Sequence, residues 1–426
     1  MSTHTSAVML SAQPADLRPV QLAWLAVAVF VVSAGYGALL PLLPGWLTLM
    51  MPGATATEIA RHVGFLSGVY AAGVLVGAPL WGVISDRTGR SRILIVGLVG
   101  YVASQLLLLV PELTSVWGLY ALRGTTGFFV AAVVPVVSAL VAEHTPEEQR
   151  ARRFAWLGAM SLLGFLFGPG LTAVAGWVGP WAGQGAVTSA LSVQVVIILS
   201  ALLGAVMMLG LAVTLPASRP PAPTAPSIPE VSSRGRTTAL WCLNGVVMFV
   251  LAGFELGIVL QGQQHSNVSP REVALMFAEC SLVMLGINAL LFFTSLLEKT
   301  SARSLLGAGL ILAMVGLAVL AQHRSDAWMY LGVSLAAAGT GLVLPVISYL
   351  AAGTSRQNLG VTMGGLAAAA GFGQTLGSSV GGWLFGALEQ RSFGWLTVPL
   401  LVMLGLLLAR PAWWSVTSVK SSHDRP

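Results

Sequence analysis

Twelve long apolar stretches constrain this chain more than any other feature of its sequence. A helix needs about 20 apolar residues to cross a bilayer, because in hydrocarbon every backbone amide must be satisfied within its own helix. Only 8% of the residues are charged, whereas a soluble globular chain carries about 25% charged residues. The sequence therefore excludes a water-soluble fold and predicts an all-α membrane protein.

We number the predicted transmembrane stretches spans 1 to 12 in chain order. The first six are Val20–Leu43, Val63–Ile84, Ile93–Val110, Val116–Val141, Phe154–Val178 and Val187–Leu215. The second six are Ala239–Gln261, Val273–Leu297, Leu305–Ala321, Ala327–Ala352, Gly360–Leu388 and Gly394–Ala409.

A Pro-rich stretch separates the two sets of six spans and is typical of an extended cytoplasmic linker. The chain is thus predicted to comprise a cytoplasmic N-terminal tail (1–19), an N-terminal six-helix bundle (20–215), the linker (216–238), a C-terminal six-helix bundle (239–410) and a cytoplasmic C-terminal tail (411–426).

Short sequence echoes relate the two sets of spans. Pro135-Val-Val-Ser138 in span 4 reappears as Pro345-Val-Ile-Ser348 in span 10. Gly164-x-x-x-Gly168 in span 5 reappears as Gly373-x-x-x-Gly377 in span 11, at almost the same offset. Two echoes in register indicate a duplicated six-helix unit, as in transporters built from parallel repeats. We therefore expect two six-helix bundles related by a pseudo-two-fold axis along the membrane normal.

The positions of the basic residues predict the orientation of the chain. A net charge of +6 would suggest nucleic acid as the partner of a soluble protein, but in a membrane protein the distribution of charge matters more. With the N-terminus in the cytoplasm, only five of the 21 Lys and Arg lie outside cytoplasmic segments, namely Arg61, Arg123, Arg271, Arg324 and Arg391. We therefore expect no nucleic-acid partner and a multi-pass protein of the cell inner (plasma) membrane, with both termini cytoplasmic.

A short basic loop joins spans 2 and 3 on the predicted cytoplasmic side. Gly82 would permit close approach of helices, Gly89 a tight turn, and the arginines contact with an anionic lipid surface. The loop resembles the signature of the major facilitator superfamily at Gly82, Asp86, Arg87, Gly89 and Arg90. The resemblance implies a gating loop, in which Asp86 meets the N-terminal end of span 11 when the cavity opens outward. The alternative is a loop that only fixes the topology, and the matching loop of the second half, residues 298–303, departs from the signature.

Two further motifs lie in spans 4 and 5. The stretch Leu119–Gly127, with Arg123 inside the membrane, resembles a pattern that the same family associates with proton coupling. Span 5 resembles the pattern of the 12-helix drug-proton antiporters at Gly164, Gly168, Pro169 and Gly170. These residues would bend the helix and let it pack closely against the other half, which limits leakage. The alternative is ordinary small-residue packing, which carries no implication of export.

Three ionisable side chains lie inside predicted spans: Arg123 in span 4, Glu255 in span 7 and Glu279 in span 8. A charge in hydrocarbon is costly and usually faces a partner or a wet cavity. At 1.5 Å per residue, all three lie roughly 10 Å below the outer boundary. We expect these residues to couple protons to transport, with Glu255 carrying the proton and ionised when it is opposed by Arg123. The alternative is that Glu255 and Glu279 are interface residues that snorkel toward water.

Polar and aromatic side chains near Glu255 predict a substrate cavity. On span 7, Asn244 and Glu255 lie on one helical stripe. The family resemblance implies that spans 1, 4, 7 and 10 line a central cavity, and a wide pocket with few polar groups suits amphipathic organic solutes. The predicted cavity residues are Tyr36, Asn244, Phe254, Glu255 and Gln374.

The sequence and the resemblance together favour a secondary active transporter over other classes of protein. The expected function is proton-coupled export of small lipophilic or cationic organic compounds by alternating access. We expect a monomer whose partners are a small-molecule substrate, protons and the lipid bilayer. The chain shows no phosphate-binding loop, metal-ligand spacing or nucleophile arrangement, so we expect no enzyme activity, no metal and no cofactor. The alternatives are proton-coupled uptake of an organic solute and a non-transporting membrane sensor or partner protein.

Overall fold

The structure is a computed structural model that describes residues 17–113, 115–145, 153, 156–168, 170–171, 189–215, 234–264, 270–294, 296–323, 325–352 and 359–414. Every predicted span contains helix within these residues. Some spans contain two helices, and we refer to each helix by the span in which it lies. In the first half the helices are Pro19–Leu39, Leu43–Met50, Ala56–Thr88, Arg90–Leu107, Val116–Val130, Val134–Glu143, Trp156–Gly168 and Ser189–Thr214. In the second half they are Arg234–Gln264, Pro270–Phe293, Leu296–Lys299, Ala302–Gln322, Asp326–Ala352, Leu359–Leu388, Ser392–Trp395 and Thr397–Ala409.

The helices have the length and composition of membrane-spanning segments. Within the described residues, ten helical stretches are long and apolar enough to cross a membrane. The last of them, Thr362–Ala409, contains spans 11 and 12, and the described helix of span 5 is shorter. The protein therefore has an all-helical, multi-pass membrane fold. A total of twelve spans stays a prediction, as do the domain boundaries; the helix of span 7 begins at Arg234, inside the predicted linker.

Span 4 is broken where the sequence predicts one continuous helix. Pro135 has no amide hydrogen to donate to the carbonyl of Ala131, and its ring crowds that carbonyl. The amides of Ala132 and Val133 bond instead to carbonyls three residues back, at 3.0 and 2.9 Å. Span 10 stays helical through Pro345. The echoed proline therefore interrupts the helix in the first half only.

The glycines of span 5 pack against span 1 of the same half, which corrects the expectation that they face the other half. A methyl group added at Gly164 would overlap the carbonyl oxygen of Phe30 in span 1. One added at Gly168 would lie 2.7 Å from the amide nitrogen of Ala38. The two glycines lie one helical turn apart and share a face. That face is turned toward span 1, so it cannot also seal the junction between the halves.

A different side chain of span 5 reaches the second half. The ring centroid of Phe165 lies 5.5 Å from that of Phe277 in span 8, in an edge-to-face arrangement. A methyl group added at Gly170 would have no atom of the described residues within 4 Å, and Pro169 lies outside those residues. Span 5 therefore contributes an aromatic contact, rather than glycine packing, to the junction of the halves.

The second half repeats the glycine contact between its own helices. Methyl groups added at Gly373 and Gly377 of span 11 would overlap the carbonyl oxygens of Gly245 and Phe249 in span 7. Span 11 thus lies on span 7 as span 5 lies on span 1. The echoed glycines occupy equivalent contacts, as a duplicated unit requires, while the pseudo-two-fold axis itself stays a prediction.

The two halves meet tightly along spans 2 and 11. A methyl group added at Gly64 would lie 2.7 Å from the Cα atom of Gly382, so the helices touch backbone to backbone. Nearby, the Thr57 hydroxyl donates a hydrogen bond of 3.0 Å to the carbonyl oxygen of Gly386. Both contacts lie at the end of the bundle that the sequence predicts to be the outer one. The structure is therefore closed between spans 2 and 11 at that end.

Candidate functional site

The signature loop between spans 2 and 3 is organised around Arg90. Its guanidinium forms an ion pair of 3.0 Å with Asp86, contacts the carboxylate of Glu143 at the end of span 4, and donates a hydrogen bond of 3.3 Å to the Ser85 hydroxyl. The loop is thereby tied to span 4 within the first half. The Asp86 side chain is 56% exposed, and no contact with span 11 is among its described contacts. Its gating role stays a prediction.

The sequence predicted a tight turn at one loop glycine, Gly89, and a close helix approach at the other, Gly82. Gly89 ends the helix of span 2 with a φ of 101°, a conformation that favours glycine, so the predicted turn is confirmed. The predicted close helix approach at Gly82 is not found in the described part of the chain, where an added methyl group would have no atom within 4 Å. The close approach lies further back, at Gly77, which faces the carbonyl of Phe128 in span 4. Arg87 is exposed.

Arg123 is buried at the centre of the first half, with 1% of its surface exposed. Its guanidinium carbon lies 4.7 Å from the ring centroid of Tyr70 and 6.0 Å from that of Tyr36. Neither Nε nor Nη2 has a hydrogen-bond partner among the described residues. None of the described ion pairs includes Arg123.

The tyrosines around Arg123 only partly offset the cost of its burial. A cation over an aromatic face gains about 2 kcal/mol when both groups are desolvated. An unpaired ion loses several kcal/mol on leaving water, even after the protein relaxes around it. A buried polar group without partners is rare and calls for an explanation. Arg123 is therefore a candidate for function rather than for stability.

Tyr36 connects Arg123 to the second half. Its ring centroid lies 4.8 Å from that of Tyr70, and its hydroxyl interacts electrostatically with the side-chain amide of Gln374 in span 11. Tyr36 also lies within electrostatic range of Glu255 in span 7. We call the group formed by Arg123, Tyr36, Tyr70, Gln374 and Glu255 the junction site, because it crosses the boundary between the halves.

The two intramembrane glutamates lie in different surroundings. Glu255 is half-buried, faces Tyr36, and has no hydrogen-bond partner among the described contacts of its carboxylate. Glu279 accepts a hydrogen bond from the Ser334 hydroxyl of span 10. The Cys280 thiol lies within electrostatic range of both carboxylates. Glu255 therefore belongs to the junction site, whereas Glu279 is held at the contact between spans 8 and 10.

Two predicted cavity residues lie away from the junction site. The side-chain amide of Asn244 donates a hydrogen bond of 2.8 Å to the carbonyl oxygen of Leu366, which joins span 7 to span 11. Phe254 is 2% exposed and packs edge to face with Phe393, at 6.5 Å between ring centroids. Both side chains serve contacts within the second half.

The sequence singled out only one of the tyrosines that surround Arg123, Tyr36, which it placed in the substrate cavity. Tyr70 and Tyr101, which also interact electrostatically with Arg123, were missed. The available signal was their rarity in a chain that is only 8% aromatic. Within the described part of the chain, no three His, Cys, Asp or Glu side chains are grouped so as to hold a metal ion.

Known proteins resemble this chain in sequence. Residues 25–291 match the family described as Major Facilitator Superfamily. The chain is 26% identical over 395 residues to the class D tetracycline resistance protein of Salmonella ordonez, covering 88% of this chain and 92% of that one. It is 35% identical over 148 residues to the class B tetracycline resistance protein of Escherichia coli and 29% identical over 143 residues to the quinolone resistance protein NorA of Staphylococcus aureus. In these two comparisons the match spans about a third of each chain, 35% of the relative in both cases.

Solved structures resemble the fold at low sequence identity. The human organic anion transporter MFSD10 superposes with a TM-score of 0.70 and 18% identity, over 92% of this chain and 100% of that one. A peptide transporter in complex with sulfate superposes with a TM-score of 0.73 and 14% identity, over 94% and 97% of the two chains. At such identities the likeness concerns the fold alone.

Proposed function

This chain belongs to the Major Facilitator Superfamily, and we propose that it exports small amphipathic organic compounds in exchange for protons. It is a multi-pass membrane transporter and not an enzyme. The observation that carries the proposal is the junction site, where Glu255 of the second half lies within electrostatic range of Tyr36, whose ring lies over the buried Arg123 of the first. A carboxylate inside the membrane at the boundary of two moving bodies is the kind of group that exchanges a proton during transport.

The direction of transport rests on the relatives. They are named for resistance to tetracycline and to quinolones, and a transporter confers resistance when it moves a compound out of the cell. The class D protein aligns with most of this chain. The span 5 motif of the drug-proton antiporters supports the same direction, although its glycines pack within the first half.

In the proposed cycle, a proton and the transported compound bind the junction site in turn. When the junction site is open to the cytoplasm, Glu255 releases its proton and a compound enters beside Arg123. When the contact between spans 2 and 11 separates, the site opens outward, a proton binds Glu255 and the compound leaves. The two six-helix bundles move relative to each other, with the linker and both termini in the cytoplasm and the chain acting as a monomer.

The test is substrate-dependent proton movement in everted membrane vesicles. Vesicles carrying wild type, Glu255→Gln or Glu279→Gln are energised, and luminal pH is followed on adding tetracycline, a quinolone and a panel of cationic and neutral compounds. We expect wild type and Glu279→Gln to release protons with at least one compound, and Glu255→Gln to release none. Glu279→Gln is the matched control, since the same substitution is made one span away, in a carboxylate bound to Ser334.

Either of two results would contradict the proposal. Proton release that survives in Glu255→Gln but disappears in Glu279→Gln moves the proton site to span 8. Proton entry with the compound, rather than exchange against it, makes the protein an uptake system.

A further inference from the structure

We infer that Arg123 binds an anionic group of the transported compound, so that the preferred cargo is an organic anion with an aromatic body. The inference rests on the proposed transport function and specifies the charge of the cargo. The expectation of cationic cargo came from the family resemblance alone, whereas the buried guanidinium in the junction site favours the opposite charge.

The first step is that Arg123 has donors to spare. A guanidinium carries five N–H donors and keeps its charge in proteins. In this structure Nε and Nη2 are buried and have no partner among the described residues. A carboxylate matches the planar fork of a guanidinium with two parallel hydrogen bonds. Arg123 therefore has free N–H donors with which a carboxylate can form hydrogen bonds.

The second step is that the surrounding groups of the protein do not neutralise Arg123. Its electrostatic neighbours are Tyr36, Tyr70 and Tyr101, all of them neutral aromatic side chains. Glu255 lies within range of Tyr36, and no ion pair with Arg123 is among the described contacts. A purely structural arginine at this depth would be expected to hold a carboxylate of its own half.

The third step is that the aromatic rings fit the rest of the ligand. The ring of Tyr36 contacts those of Tyr70 and Phe165, at centroid distances of 4.8 and 5.9 Å. When Tyr36 turns away, an aromatic body can take its place beside the charge and stack on these rings in an offset or edge-on arrangement. The junction site thus offers a cation for the anionic group of the ligand and aromatic rings for its aromatic body.

The fourth step is a route to the buried charge. Tyr36 covers Arg123 with its ring, and its hydroxyl interacts with Gln374 of the second half. When the halves separate at this point, that contact is lost and the ring is free to turn. Opening of the halves and exposure of Arg123 are therefore one event.

The test compares three ligands of nearly equal size on the purified full-length protein in lipid nanodiscs. They are 2-naphthoate, which is an anion, 2-naphthamide, which is neutral, and 2-naphthylmethylammonium, which is a cation. Binding is followed by quenching of tryptophan fluorescence for wild type, Arg123→Gln and Arg123→Lys. We expect wild type to bind the carboxylate roughly tenfold or more tighter than the amide, and Arg123→Lys to keep that order. Arg123→Gln should bind the carboxylate and the amide equally.

Three results would overturn the inference: equal binding of the carboxylate and the amide by wild type, no binding of the carboxylate at millimolar concentration, or a preference that survives in Arg123→Gln. If Arg123→Gln does not fold, as judged by gel filtration, the ligand order in wild type and Arg123→Lys decides. If only cations exchange for protons, this inference is wrong and the proposed export is supported. If the carboxylate binds but no compound moves protons, the proposed export is wrong and this inference is supported.

Discussion

At the scale of single residues, Tyr36 joins the buried charge to the contact between the halves. Its ring lies over Arg123, and its hydroxyl interacts with the side-chain amide of Gln374 in span 11. One side chain thus covers the charge and bridges the two bundles. Removing the hydroxyl while keeping the ring separates these roles.

Tyr36→Phe should weaken the contact between the two halves, while the ring that covers Arg123 stays in place. Loss of the polar contact between the Tyr36 hydroxyl and Gln374 costs about 1 kcal/mol, so the population of open molecules should rise roughly fivefold. The reporter is Cys280, which is buried near Glu255 and is one of only two cysteines. In a Cys242→Ser background, we expect Cys280 to react with a thiol reagent faster in Tyr36→Phe by that factor.

Tyr120→Phe is the control for this measurement. It removes a tyrosine hydroxyl that bonds to His62 Nδ1 at 2.9 Å within the first half. Its effect on the Cys280 rate should be small. An unchanged rate in Tyr36→Phe, or an equal rise in both variants, would refute the bridging role of Tyr36.

The sequence predicted the junction site only in part. Arg123 and Glu255 stand out because a charge in an apolar stretch is conspicuous from composition alone. Asn244 was placed in the cavity by helical periodicity, which tells which residues share a face but not where that face points. Phe254 was placed there because an aromatic side chain suits a pocket for organic compounds. Tyr70 escaped notice, since a neutral ring in a membrane helix looks like any other core residue.

At the scale of helices, glycine contacts fix how neighbouring spans lie against each other. Gly168 meets the backbone of span 1, and Gly377 meets that of span 7. The sequence predicted close packing at these glycines, and the packing is confirmed. It could not identify the partner helix, because a small residue permits a close approach from any neighbour that faces it.

Gly168→Ala and Gly158→Ala should therefore differ in stability although both lie in the helix of span 5. The new methyl group at Gly168 would meet backbone atoms of span 1 at 2.7 Å, whereas the one at Gly158 would have no atom of the described residues within 4 Å. We expect Gly168→Ala to destabilise the protein by about 1 to 3 kcal/mol through overpacking. Gly158→Ala should be neutral or stabilising by up to about 1 kcal/mol, since alanine favours helix.

Thermal unfolding of the two alanine variants in detergent checks this difference. Equal melting temperatures for the two variants would contradict the described contact between spans 5 and 1.

The loops at the predicted cytoplasmic end also differ between the halves. In the first half Arg90 links Asp86 to Glu143 through charge. In the second half Arg303 instead donates hydrogen bonds to the carbonyl oxygens of Leu407 and Leu408, at the end of span 12. A cation at a helix C-terminus is stabilising. The loss of the signature in the second loop is thus accompanied by a different way of holding the loop.

At the scale of the whole molecule, the two halves are in contact along spans 2 and 11 at the predicted outer end. Gly64 and Gly382 touch there, while Asp86 near the opposite end is largely exposed. The sequence predicted two bundles, but it could not predict which end is closed. That choice depends on small free-energy differences between two packings of the same helices, which are not encoded in any single motif.

Proton exchange through Glu255 is tested by transport with purified protein in liposomes that have an imposed pH gradient, acidic inside. The labelled cargo is a compound that moves protons in the vesicle assay, and membrane potential is clamped with potassium and valinomycin. We expect the compound to accumulate inside wild-type liposomes only while the gradient lasts, and Glu255→Gln liposomes to show no accumulation. Accumulation that is independent of the gradient, or that requires an alkaline interior, would contradict the account.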